Sequence, residues 1–256
     1  MTGNALVLGG GGLTGIAWET GLLYGLEGQG IRLRDAGLIV GTSAGSAVAA
    51  QIAGSTSLEE LYQAQIDGKV NELPGRLGLL GMLKLLVAAR GTADERRSLA
   101  KVGKMALRAE TVAEPVRRAV IEQRLPVHAW PEKRLKIPAV NATTGEFTVF
   151  DNSSGVDLVD AVAASCAVPL VWPPVTIDQH RYFDGGIRSV ANVDLAAGYE
   201  SVVVIAPQAS GLRRGTRPSE ELTALGAPRS ALSSPDPLAN SAMGKNALDP
   251  NARAAS

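Results

Sequence analysis

Histidine and cysteine are nearly missing from this chain of 256 residues, which holds two of the first and one of the second. A single cysteine, Cys166, cannot close an intramolecular disulfide, which fits a reducing compartment. In "ASCAVP" it reads as a small buried residue. Aromatic residues make up only 4% of the chain, too few for a base-stacking platform. Net charge is absent too, with 25 Lys and Arg against 25 Asp and Glu, so no nucleic-acid partner is expected. No stretch reaches the roughly 18–20 uninterrupted apolar residues of a membrane span. No basic segment precedes the first apolar run, so no signal peptide is expected. The expected setting is cytoplasmic, with peripheral contact to a membrane left open. A 45% apolar composition still supplies a real core.

Glycine, by contrast, is concentrated near the start. "ALVL" at 5–8 runs into Gly9, Gly10, Gly11 and Gly12, and Gly15 follows closely. Each glycine costs roughly 0.5–1 kcal/mol of extra ordering in regular structure. Such a run suggests that something comes close to bare main chain. Two candidates are a phosphate group and an oxygen that becomes an anion during a reaction.

Periodicity gives a coarse map. "ALVL" and "GLIVGTSAGS" (37–46) read as buried strands, each followed by a turn and a helix, which predicts a parallel sheet under helices. Residues 56–128 read as helices with little strand character, an inserted cap. Strands return in "LKIPAVNATTGEFTVFD", with a turn at Thr144 and Gly145, and a hairpin in "VTIDQHRYFDGG" ends at Asp184. "ESVVVIAP" (200–207) is a further strand. From 209 onward Gly, Pro, Ser, Arg and Ala dominate, which predicts loops and one helix near 218–225.

Gly10, Gly12 and Gly15 satisfy the G-x-G-x-x-G pattern of a dinucleotide site, and Asp35 lies 20 residues beyond Gly15. That acid should end the second strand, whereas Asp35 precedes it. The second strand ends instead in "GTSAG" (41–45), a G-x-S-x-G that lifts Ser43 on a sharp strand-to-helix turn. Gly41 and Gly45 stand where a side chain would collide with the neighbouring strand or helix. The same five residues also fit an ordinary turn with Ser43 as helix cap. A serine nucleophile needs a base. His128 in "LPVHAWP" and His180 at the hairpin tip have no convincing setting, and Asp178 with His180 makes a poor triad. A carboxylate remains: Asp184 in "YFDGG", where Gly185 and Gly186 allow a sharp turn with the carboxylate inward. An exposed turn aspartate is the plainer reading of those residues.

Together and in this order, "GGGGLTG" (9–15), "GTSAG" (41–45) and "DGG" (184–186) resemble the patatin-like phospholipase family. "AVAASCAVPLVWPPV" (161–175) looks like the family segment that precedes the catalytic aspartate. The resemblance spans roughly residues 4–207. It implies a three-layer α/β/α fold with a mostly parallel central sheet and a helical cap inserted at about 56–128. The catalytic domain would cover 1–208, followed by an irregular segment at 209–256, partly helical or poorly ordered. It implies a Ser–Asp dyad, with Ser43 as nucleophile and Asp184 as base, needing no metal and no cofactor. The backbone N–H groups of Gly10, Gly11, Gly12 and Ala44 would form the oxyanion hole. The expected activity is hydrolysis of a fatty-acyl ester through an acyl-enzyme, on a lipid substrate. Thr14 stands where the family often has Arg or Lys, so one positive charge is missing near the site. The alternatives are a nucleotide-binding oxidoreductase and a catalytically silent lipid-binding protein on the same fold. "RLGLLGMLKLLVAAR" (76–90) fits either a core helix or a lid that meets lipid. Burial or exposure of Leu79, Leu80, Leu83, Leu86 and Val87 separates the two.

Overall fold

The computed structural model describes residues 3–68, 72–244 and 246–248. Two strand–turn–helix units open it: β1 (Asn4–Leu8) with α1 (Gly12–Gly28), then β2 (Leu38–Gly41) with α2 (Ala44–Ala53). The two strands are parallel neighbours. Next come four helices, α3 (Leu58–Ile66), α4 (Leu79–Arg90), α5 (Glu95–Arg108) and α6 (Glu114–Arg124). Strands β3 (Arg134–Asn141) and β4 (Phe147–Asp151), helix α7 (Leu158–Ser165), and the hairpin β5 (Val175–Ile177) and β6 (His180–Asp184) follow. The chain then returns to the sheet as β7 (Ser201–Ile205), α8 (Pro218–Leu225), β8 (Arg229–Ser233) and α9 (Pro237–Met243).

The eight strands form one mixed, mostly parallel sheet between helical layers. Alternation along β1 explains the layering. Leu6 and Leu8 face a core shared with α1, α2 and α7, while Ala5 and Val7 face a second core with Val202, Val204 and Leu222. A strand covered on both faces needs apolar residues at every position, which is why "ALVL" is continuous rather than alternating.

Two of these helices start on local capping signals. A capping box starts α3: the Glu60 N–H donates to Ser57 Oγ at 3.2 Å, and the Ser57 N–H donates to the Glu60 carboxylate at 3.1 Å. Asp94 caps α5 by accepting from the Arg97 N–H at 3.1 Å. Helix α5 then buries Leu99, Val102 and Ala106 near Val140 and Phe183, with Leu85 and Ala89 of α4 in the same cluster.

The segment from residue 209, expected to be irregular and partly helical, also contributes strand β8, which pairs in parallel with β7. Its residues "RSALS" are almost all exposed. An edge strand gains its main-chain hydrogen bonds from one side and needs little apolar patterning, so composition does not announce it.

The register around β3 sets up the functional site. Parallel β2 occupies one flank of β3, pairing Leu38–Val40 with Arg134–Lys136. Antiparallel β6 occupies the same flank farther along, pairing Tyr182–Asp184 with Asn141–Ala139. β4 takes the opposite flank. The C-terminal ends of β2 and β6 therefore point at each other, one leading to Ser43 and the other ending at Asp184.

Candidate functional site

Ser43 follows β2 with φ 53° and ψ −118°. For a non-glycine residue this conformation costs on the order of 1–3 kcal/mol, and it persists only where neighbours over-determine it. They do here. The Ser43 N–H donates to Ser165 Oγ at 3.0 Å. Its carbonyl accepts from Ser46 Oγ at 2.6 Å and from the Cys166 thiol at 3.2 Å. A Cβ on Gly45 would meet the Leu8 carbonyl and Gly9 O, so α2 can start this close to β1 only with glycine there. A Cβ on Gly41 would likewise come 2.7 Å from Ser46 Cα.

Although Ser43 holds the N-cap position of α2, its side chain makes no capping bond. Its Oγ instead donates to Asp184 Oδ2 at 2.7 Å. Asp184 is buried, and its Oδ1 accepts the Gly186 N–H at 2.7 Å. Burial raises the Asp184 carboxyl to about 7, against the opposing pull of the Ser43 and Gly186 hydrogen bonds. Gly185 packs against the β3 backbone, where a Cβ would come 2.8 Å from the Pro138 carbonyl carbon. Asn192, in the left-handed region at φ 51°, donates from Nδ2 to Thr42 Oγ1 at 3.1 Å and to the Ser189 carbonyl at 2.8 Å. It ties the loop after Asp184 to the residue before Ser43. Neither Asn192 nor Ser165 stands out in the sequence, although Ser165 lies within the 161–175 block.

The glycine loop needs one correction. The Gly10 N–H donates to the Val190 carbonyl at 2.7 Å, so it is not free to bind an oxyanion. The N–H groups of Gly11, Gly12 and Ala44 have no acceptor among the described residues. Gly12 has φ +62°, which glycine adopts without strain. Gly15 lies one turn into α1, and its N–H donates to Gly11 O at 3.0 Å. An open cleft of about 600 Å³ runs past Gly11, Gly12, Ser43 and Asp184 to apolar side chains such as Leu85 and Ile187.

Other candidates lie elsewhere. His128 is exposed, with Nε2 3.0 Å from the Glu122 carbonyl, and His180 is exposed on β6; neither lines the cleft. Asp35 pairs with Lys133 at 3.5 Å and precedes β2, whereas the glycine loop follows the parallel strand β1. The two halves of the dinucleotide signature thus sit at opposite ends of the sheet.

A family model described as patatin-like phospholipase matches residues 6–197. No curated protein matches the chain. Among solved structures, VipD from Legionella pneumophila is similar at 14% identity, with a TM-score of 0.43 over 79% of this chain and 49% of that one. The type III effector protein ExoU is similar at 16% identity, with a TM-score of 0.39 over 91% of this chain and 48% of that one. The chain thus spans about half the length of each.

Proposed function

Because this chain belongs to the patatin-like phospholipase family, we propose that it is a serine acyl hydrolase that cleaves fatty-acyl esters of lipids through an acyl-enzyme on Ser43. The observation that carries this reading is the 2.7 Å hydrogen bond from Ser43 Oγ to a buried Asp184, beside three N–H groups with no acceptor among the described residues. In the proposed reaction Ser43 Oγ attacks the ester carbonyl carbon as Asp184 takes its proton. The tetrahedral oxyanion accepts from the N–H groups of Gly11, Gly12 and Ala44. Asp184 then protonates the departing alkoxide, which leaves the acyl group on Ser43. Asp184 next takes a proton from water as that water attacks the acyl carbon. The fatty acid leaves and Ser43 regains its proton.

The acid–base behaviour tests this directly. A base acts only when ionised, and Asp184 ionises near 7 rather than near 4. The kcat/KM for a short-chain ester is expected to rise with pH through a midpoint of about 7. An ascending limb near pH 4 would remove Asp184 as a buried base.

The reading extends to a lipid surface through α4. Buried Leu85 and exposed Met82 both line the cleft. Leu79, Leu80, Leu83 and Val87 are exposed, Leu79 at 88%, and Leu86 is half-buried. That is not the burial pattern of a core helix. Arg76 and Lys84 are exposed beside it, placed to meet lipid phosphates. No helix among the described residues is long and apolar enough to cross a membrane. We propose α4 as a lid that lies in the lipid interface. Leu79→Asp with Leu83→Asp is expected to cut hydrolysis of vesicle lipid roughly tenfold or more. Hydrolysis of a soluble short-chain ester should change far less, by assay of both substrates on one folded preparation. Equal losses on both substrates would remove the lid.

A further inference from the structure

A second, smaller cavity of about 20 Å³ also reaches Ser43. It has room for about one water. Gly12, Ser43 and Ala44 line part of it, and Glu72, Arg117 and Arg124 line another part. The charged side chains are only 2, 8 and 3% exposed, respectively. Both guanidinium groups pair with the single Glu72 carboxylate, so two positive charges face one negative. The Nε atoms of Arg117 and Arg124 find no acceptor among the described residues. The Arg117 guanidinium stacks over the Trp172 ring at 4.0 Å. Burial lowers both arginines, Arg117 to about 10; a guanidinium is not deprotonated in proteins.

An ion cluster kept only for stability is poorly served by this arrangement. Buried charge is expensive, and an excess cation with unfilled donors adds to the cost. The same features suit a site that receives a further anion. We propose that Arg117 and Arg124 form the subsite for the phosphate of a glycerophospholipid substrate, and that Glu72 is its internal stand-in until substrate arrives. The proposal rests on the acyl-hydrolase reading of Ser43. The free cavity is too small for a phosphate, so the Glu72 carboxylate must leave the arginines as the phosphate enters. Glu72 can do so without breaking regular structure, because residues 72–78 form neither helix nor strand before α4. In a glycerophospholipid the phosphate lies only a few bonds from the acyl esters. A phosphate subsite lining the same cavity as the nucleophile is therefore within reach of the scissile carbonyl.

Glu72→Gln removes the stand-in and leaves the arginines. In chloride buffer this variant is expected to melt below the parent protein. Millimolar inorganic phosphate at matched ionic strength should restore it, since a ligand that binds only the native state stabilises it by mass action. The parent should respond much less. With matched acyl chains, the ratio of phospholipid to diacylglycerol hydrolysis should rise roughly tenfold in Glu72→Gln. That ratio should fall below the parent's in Glu72→Gln/Arg124→Gln. The phosphate melts probe the anion alone, and the two lipids distinguish a phospholipid headgroup from a general anion site. Parallel loss on both lipids with no phosphate effect would overturn the subsite. If Glu72→Gln fails to fold, the double variant decides: an unchanged ratio overturns the proposal and a lowered one supports it. The melts need no turnover. Phosphate rescue without any ester hydrolysis would refute the hydrolase reading and keep the anion subsite. Hydrolysis without rescue and with unchanged ratios would do the reverse.

Discussion

Ser43→Ala and Asp184→Asn are each expected to lower ester hydrolysis by about 10³–10⁴-fold or more, with the double variant little worse than either. Residues that act as one unit do not contribute additively. Both variants should fold. Asn at 184 can still accept the Gly186 N–H and can donate to Ser43 Oγ, so the two hydrogen bonds keep partners. Asp184→Asn should also show a stability gain that grows with pH. The folded Asp184 holds its proton up to about 7, against an ordinary value of 3.8. The native state therefore binds the extra proton between those values, and parent stability falls as pH rises through that window. Asparagine has no such loss. Its advantage should increase by on the order of 2–3 kcal/mol between pH 5 and pH 8 and stay flat above that. Thermal melts at several pH values check this beside the turnover assay. His128→Ala and His180→Ala should keep most activity, since both rings lie outside the cleft. A large loss in either folded histidine variant would return a triad to consideration.

Gly11→Ala is expected to have the next largest effect, and through a different route. Gly11 has φ −172°, outside the left-handed region that favours glycine. The obstacle is space: a Cβ would come 2.5 Å from Pro207 Cβ and 2.8 Å from Gly15 Cα. The loop must shift, and the N–H groups of Gly11 and Gly12 move with it. The expected outcome is a fall in kcat of about 10²–10³, the scale of losing one oxyanion donor. A stability loss of about 1–3 kcal/mol should accompany it, as for overpacking. Gly10→Ala is the informative comparison. Its Cβ would meet Ser43 Cβ at an ordinary 3.5 Å, and its N–H stays with Val190. Steady-state kinetics should show a much smaller change there. An equal loss would restore Gly10 to the set of oxyanion donors.

The comparison of these two glycines shows how far the sequence can be read. A run of four glycines marks where bare backbone is needed, but not which N–H is already used. That depends on Val190, which lies 180 positions away and reaches the loop only through the sheet. The paired strands "ALVL" and "LIVG" are legible because burial on both faces forces continuous apolar residues. Strand β8 is not, because an edge strand is held by main-chain bonds to β7. Ser43 and Asp184 each sit in a short glycine-flanked motif. Their meeting depends on β2 and β6 sharing one flank of β3, a register that no local pattern reports. The cluster of Glu72, Arg117 and Arg124 is the least legible part. Arg117 and Arg124 lie two turns apart on amphipathic α6, where arginine ordinarily signals a solvated helix face, and Glu72 comes 45 positions before Arg117. Glu19 is hidden in the same way: it lies fully buried on α1, and burial holds its carboxyl well above the usual range.

The central claim is that Ser43 is a nucleophile activated by Asp184. Labelling with a fluorophosphonate, followed by mass spectrometry of the digested protein, tests it most directly. The reagent forms a covalent phosphonyl ester with an activated serine and ignores ordinary hydroxyl groups. The account predicts a single adduct on the peptide containing Ser43, lost in Ser43→Ala and strongly reduced in Asp184→Asn. Labelling should also rise with pH through a midpoint near 7, as Asp184 ionises. No adduct on the folded parent protein, or an adduct on Ser43 that Asp184→Asn leaves at full strength, would contradict it.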